Sequence, residues 1–76
     1  MRVELAPGIV VDSEIRFGKP IIEGTRVPVE LVIGKLAGGM TIEEIVEEYE
    51  LTVGDVRAAL RYAAAVLAAE EVRVVA

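Results

Sequence analysis

The sequence predicts a mainly α domain with a short N-terminal β-hairpin, built as a three-helix homeodomain-like or winged helix-turn-helix unit and dimeric. Three observations lead there. Strand-like residues flank Pro7-Gly8 near the start. Three amphipathic segments follow, with start signals at Pro28, Thr41 and Thr52. The last two are separated only by Glu50 and Leu51 before the Thr52 cap, and helix, tight turn, longer helix is the helix-turn-helix pattern.

The hairpin comes from Arg2-Val3-Glu4-Leu5-Ala6 and Ile9-Val10-Val11-Asp12. Pro7 presets the first central position of a type II turn, and Gly8 supplies the positive φ of the second. A two-stranded hairpin is marginal alone, so it must pack on a helix or pair with another chain. Ser13 to Val27 then reads as a loop with room for one more short extended segment. It carries Gly18-Lys19-Pro20, which is not a phosphate loop, because the lysine is followed by no Ser or Thr.

Pro28 is placed at the first position of a helix whose apolar stripe is Val29, Val32, Ile33 and Leu36, ending at Gly38-Gly39. Gly34 inside it costs about 1 kcal/mol against alanine unless something packs on its bare backbone. Thr41-Ile42-Glu43-Glu44 has the capping-box spacing and opens a second helix through about Tyr49. Ile42, Ile45, Val46 and Tyr49 share one face of it, and Glu43, Glu44, Glu47 and Glu48 the other. Thr52-Val53-Gly54-Asp55 is a second box with Asp for Glu, opening a helix from Val53 to about Glu71 whose expected core face is Val56, Leu60, Ala63 and Leu67. The remaining surface of Ala58, Tyr62, Ala65, Val66 and Ala69 reads either as plain helix propensity or as a homodimer contact. The tail from Val72 to Ala76 is strand-like and acid-free, suited to edge pairing or to disorder.

The 76 residues thus form a single domain: 1–27 strands and loop, 28–71 the three-helix core, 72–76 the tail. A chain this short buries only about 60% of the surface its unfolded form exposes. Without a cysteine it has no disulfide remedy, so association of two copies is expected.

Composition excludes more chemistry than it suggests. No His, Cys, Trp, Asn or Gln is present, which removes the commonest general base, the best nucleophile and most transition-metal ligands. No enzyme activity, cofactor or metal is expected. The same absences beside 28% charged residues resemble proteins from hot environments. No run of 18 apolar residues and no secretory leader is visible, so the expected location is the cytoplasm without membrane contact. The net charge is -5, and it is uneven: residues 1–40 hold five basic and five acidic side chains, residues 41–76 three and eight. Phosphate contact must therefore draw on particular side chains rather than on bulk charge.

Those side chains are Arg57 and Arg61, one turn apart on the third helix, with Thr52 at its start. Pairing of the arginines with glutamates of the second helix is the competing reading. Lys19 and Arg26, in the Gly/Pro loop, either reach phosphate or anchor the loop on carbonyls, with anchoring favoured for Arg26. The glutamates of the second helix read as a solvated face rather than a cation site, since no carbonyl-rich loop completes a cage.

Gly18-Lys19-Pro20-Ile21-Ile22-Glu23-Gly24-Thr25-Arg26-Val27-Pro28-Val29 closely resembles the GKPxIxGTRxPV signature of a prokaryotic family, family 433 of the domains of unknown function. Agreement continues through Gly39-Met40-Thr41-Ile42-Glu43-Glu44-Ile45, Tyr49, Leu51-Thr52, Asp55 to Leu60, and Tyr62-Ala63. The resemblance implies a dimeric helix-turn-helix domain similar to VapB-type antitoxins, which bind and neutralise a PIN-like ribonuclease toxin and repress their own operon. Carried over by position, Thr41 to Tyr49 is the first helix of the motif and Thr52 to Leu67 the recognition helix. This chain departs from the pattern in a turn shorter by a residue or two and in Gly54, where relatives often carry a larger polar residue; either weakens base readout. The expected function is an antitoxin-like regulator contacting operator DNA through Thr52, Arg57, Arg61, Lys19 and Arg26. The alternative is a protein-interaction module that binds a basic partner through its acidic face or its C-terminal strand and has no DNA role.

Overall fold

The computed structural model describes residues 1–72, so the tail beyond Val72 lies outside the described residues. Three strands precede three helices: β1 (Arg2–Ala6), β2 (Ile9–Asp12), β3 (Ile15–Ile22), α1 (Val29–Ala37), α2 (Ile42–Tyr49) and α3 (Val53–Ala68). The strands form one antiparallel sheet in the order β1-β2-β3. Pro7-Gly8 turns the chain between the first two strands, with Gly8 at φ +80° as the turn chemistry requires.

The third strand is the extended segment for which the Ser13 to Val27 loop left room, but it is longer than expected, eight residues from Ile15 to Ile22. Gly18, Lys19 and Pro20 read as strand breakers, yet Val10 pairs with Ile21 and Val11 with Pro20. The pleat explains the tolerance. Ser13 donates its amide to the Met1 carbonyl, so the backbone groups of Met1, Val3 and Val11 lie between β1 and β2, and those of Val10 and Ile21 between β2 and β3. Pro20 therefore turns its nitrogen to the outer edge, where no ladder bond is lost. Its neighbour Ile22 uses that outer edge to donate to the Val27 carbonyl. Between Ile15 and Pro20 the ladder is interrupted by a bulge in which Arg16, Phe17 and Gly18 all adopt left-handed φ.

Ile9 and Ile22 face each other across the sheet and enter the core with Val29, Val32, Ile45, Leu51, Val56, Ala58 and Ala59. Helix α1 begins one residue later than expected: Pro28 is its N-cap, in extended conformation, and Gly38 its C-cap. The capping boxes form as read. Thr41 exchanges hydrogen bonds with Glu44, and Thr52 with Asp55, each hydroxyl accepting from an amide and each carboxylate accepting one in return. Between them Glu50 takes a left-handed conformation, φ 54°, which ends α2 and lets the buried Leu51 turn into the core.

The expected core face of α3 needs correction. Val56 is fully buried, but Leu60 is 39% and Leu67 65% exposed. The contact stripe instead runs through Val56, Ala58 and Ala59, with Tyr62 partly buried. Ala58, expected on the free surface, is buried because α3 packs on the Gly8 turn, where a larger side chain would collide. The helix also ends at Ala68, short of Glu71.

Candidate functional site

The outer face of α3 is set by what its inner face buries. With Val56 and Ala59 at zero exposure, the 100° step per residue turns Arg57 and Arg61 to the opposite side, where both are exposed. Val53 and Leu60, about 40% exposed each, lie on the same side. The ion pairs among the described residues are Met1–Asp12, Arg2–Glu23 and Lys19–Glu30, so neither Arg57 nor Arg61 is held by a glutamate of α2. The competing reading of these arginines as intramolecular ion-pair partners is not realised.

Thr52 stands at the start of the same helix. Its hydroxyl oxygen accepts from the Asp55 amide at 3.0 Å, and the Asp55 carboxylate accepts from the Thr52 amide at 3.0 Å. The hydroxyl proton remains free to donate outward, and Val53 and Gly54 sit in the first turn, where amides have no intrahelical acceptor. The Asp55 carboxylate competes with any second anion there, so Thr52 is a weaker phosphate ligand than an uncapped helix start would be.

Lys19 and Arg26 are placed elsewhere. Lys19 pairs with Glu30 in the first turn of α1, which neutralises its charge locally. Arg26 lines a hollow with Arg2, Val10, Asp12, Ile15, Ile21, Gly24 and Thr25. Nor does its side chain anchor the loop. That role falls to Thr25, whose hydroxyl donates to the Ile22 carbonyl and accepts the Val27 amide, while the Arg26 carbonyl accepts from the Arg16 guanidinium. Arg57 and Arg61 thus share the outer surface of α3, Thr52 caps its start one turn before the buried Val56, and Lys19 on β3 and Arg26 in the following loop lie elsewhere.

The acidic face of α2 is as expected: Glu43, Glu44, Glu47 and Glu48 are all exposed. Hydrogen bonds from the Thr41 amide and then from its hydroxyl hold the Glu44 carboxyl below the usual carboxylate range. No group of three or more carboxylates among the described residues is arranged to hold a metal ion.

One surface was read from the sequence only on its α3 side. Between α1, the second half of α3 and β3 lies an open apolar groove of about 550 Å³, lined by Pro20, Val29, Ile33, Gly34, Tyr62 and Val66 among others. Gly34 contributes bare backbone there, with open space where a Cβ would stand. Its sequence signals were the isolated Gly34 in a helical stripe and, on α3, Tyr62 and Val66 of the surface left over for a homodimer contact.

No helix among the described residues is long and apolar enough to cross a membrane. A family model described as "Protein of unknown function (DUF433)" matches residues 9–63, which span β2 to the middle of α3. Among solved structures, the chain is similar to the X-ray crystal structure of Rv2018 from Mycobacterium tuberculosis, with 33% identity and a TM-score of 0.63. That match covers 68% of this chain and 24% of the other, so the similarity concerns about a quarter of Rv2018. No curated protein matches the sequence.

Proposed function

Since the chain belongs to the DUF433 family, whose model spans both α2 and the arginine-bearing half of α3, we propose that it is a cytoplasmic, dimeric DNA-binding regulator of antitoxin type. Helices α2 and α3, joined through Glu50, Leu51 and Thr52, act as a helix-turn-helix with α3 as the recognition helix. The observation that carries this reading is the exposed pair Arg57 and Arg61, which pair with no carboxylate among the described residues and lie on the face of α3 turned away from the core. Arginine reads guanine bidentately in the major groove or grips phosphate, and one turn of helix spaces the two for neighbouring contacts. Thr52 supplies a hydroxyl donor to the backbone. Lys19 and Arg26 act only as peripheral cations, if a bent or wrapped duplex reaches them.

The antitoxin part rests on the resemblance to family 433 together with charge. A ribonuclease that grips RNA is basic, and the uniformly acidic face of α2 attracts such a partner while repelling DNA. The two surfaces are then divided: α3 for nucleic acid, α2 for the PIN-like toxin. No catalytic role is assigned.

The test is substitution. Arg57→Ala and Arg61→Ala should each weaken operator binding by about 1 to 3 kcal/mol, with discrimination lost at the base each contacts. Wild-type affinity in both variants would remove α3 from the interface. A second reading, a protein-interaction module with no DNA role, is favoured by the apolar groove between α1 and α3. Under it the arginine variants are silent and a Gly34→Leu variant, which fills the groove, loses its partner.

A further inference from the structure

We propose that the open edge of β1 is the seam between two copies of this chain, paired antiparallel about a two-fold axis at Val3. The inference deepens the dimer within the proposed function by naming its surface. The two edges of the sheet differ. On β3, Ile22 is bonded to Val27 and Ile21 is bridged to Pro28, so the C-terminal end of that edge is closed by the chain's own loop, and the rest is broken by Pro20 and by the left-handed residues Arg16 to Gly18. On β1 no described residue pairs with the outer side.

The backbone restricts how a second β1 can dock. Met1 directs its carbonyl, and Val3 its carbonyl and amide, to β2, as the Ser13-to-Met1 bond shows, so Arg2 and Glu4 turn theirs to the open side. A ladder between two β1 strands must place these outward residues opposite one another. Three symmetric registers do so. One sets Arg2 against Arg2, and another sets Glu4 against Glu4, each forcing like charges together on the axis. The third sets Arg2 against the partner's Glu4 and Glu4 against the partner's Arg2, with Val3 facing its own copy. Only this register is complementary in charge, and its bonds use the same residues whose backbone is free. Its hydrogen-bonded pairs end at Glu4, before the irregularity between Glu4 and Ala6.

The side chains agree with the backbone. Met1, Val3 and Leu5 alternate with the charged pair and are 84%, 47% and 43% exposed. In the complementary register Val3 meets Val3, and Leu5 meets the partner's Met1, joining two isolated apolar strips into one. The sheet then runs unbroken through both copies, and both open edges disappear. Five residues a side form a small seam beside the roughly 800 Å² per partner of standard interfaces, so the dimer is concentration-dependent.

The absence of cysteine makes the register directly testable in the full chain. Val3 in this register is a non-hydrogen-bonded pair, with Cα atoms about 4.5 Å apart, within disulfide reach. Val3→Cys should give a disulfide-linked dimer under mild oxidation. Phe17→Cys, fully exposed on the bulge, serves as the collisional control. Arg2→Glu and Glu4→Arg should each raise the dimer dissociation constant about tenfold or more in sedimentation equilibrium, and the double variant Arg2→Glu/Glu4→Arg should restore it to within about threefold. Circular dichroism checks that each variant is folded. Cross-linking of Val3→Cys no faster than that of Phe17→Cys, or a double variant as weak as the singles, would overturn the seam. Both measurements are made without DNA, so their failure is separate from failure of DNA binding.

Discussion

Gly8 and Ala58 meet where the β1–β2 turn touches α3: a Cβ on Gly8 would stand 3.2 Å from the Ala58 Cβ. This contact seats the helix carrying Arg57 against the sheet. The next residue, Ala59, completes the contact at zero exposure. Position 8 also has φ +80°, which side-chain-bearing residues adopt only at a cost. Gly8→Ala should therefore lower stability by about 1 to 2 kcal/mol, read as a fall in melting temperature, and Gly8→Val by more. Ala58→Gly in the Gly8→Ala background relieves the crowding but leaves the φ cost and adds about 1 kcal/mol of helix cost at position 58, so it should give no net recovery.

The inner and outer faces of α3 predict opposite outcomes for two aliphatic truncations. Val56→Ala empties fully buried space and should cost about 1 to 3 kcal/mol. Leu60→Ala removes a side chain that is 39% exposed and should cost less than about 1 kcal/mol. Chemical denaturation of both variants checks the orientation of the helix, and hence the outward placement of Arg57 and Arg61. Equal losses would mean that the helix is rotated.

The Thr41–Glu44 box links stability to acidity. The Thr41 amide and hydroxyl favour the ionised Glu44 carboxyl, so its pKa is lower folded than unfolded. A lowered folded pKa stabilises fully above the ordinary carboxylate value and is lost as pH falls through the folded one. Melting temperature should fall through this acid range in the wild type, and more shallowly in Glu44→Gln, which still accepts the bond without titrating. An unchanged acid slope in that variant would place the linkage in other carboxylates.

Gly34 offers a gain. It is helical and exposed, with nothing within 4 Å of the position a Cβ would take. Gly34→Ala should stabilise the chain by about 0.5 to 1 kcal/mol, seen as a raised melting temperature. A loss instead would mean that the bare backbone is already in contact with a second molecule in solution.

Legibility in the sequence followed local chemistry. Pro7-Gly8, Gly38 and the two Thr caps act within four residues of themselves, so hairpin, helix starts and the α1 stop were readable. Strand β3 was read only as room for one short extended segment, because its signals mislead one residue at a time: Pro20 is harmless only when its nitrogen faces an outer edge, and Gly18 belongs to a bulge rather than a turn. The inner face of α3 was misread for a related reason. Leucines usually mark the core, but here the close approach of the Gly8 turn selects Ala58 and Ala59, leaving Leu60 and Leu67 outside. Of the candidate residues, the outward placement of Arg57 and Arg61 follows from helical spacing and the capping by Thr52 from its local box. The surroundings of Lys19 and Arg26 depend on how β3 and the loop after it fold, which adjacent residues do not specify.

DNA binding itself is read by titrating the chain, by fluorescence anisotropy, against DNA from its own upstream region and against a scrambled duplex, at about 50 and 200 mM salt. A regulator reading through Arg57 and Arg61 predicts preference for the upstream DNA and affinity that falls steeply between the two salts. Equal binding to both duplexes, or none to either at the lower salt, would contradict it.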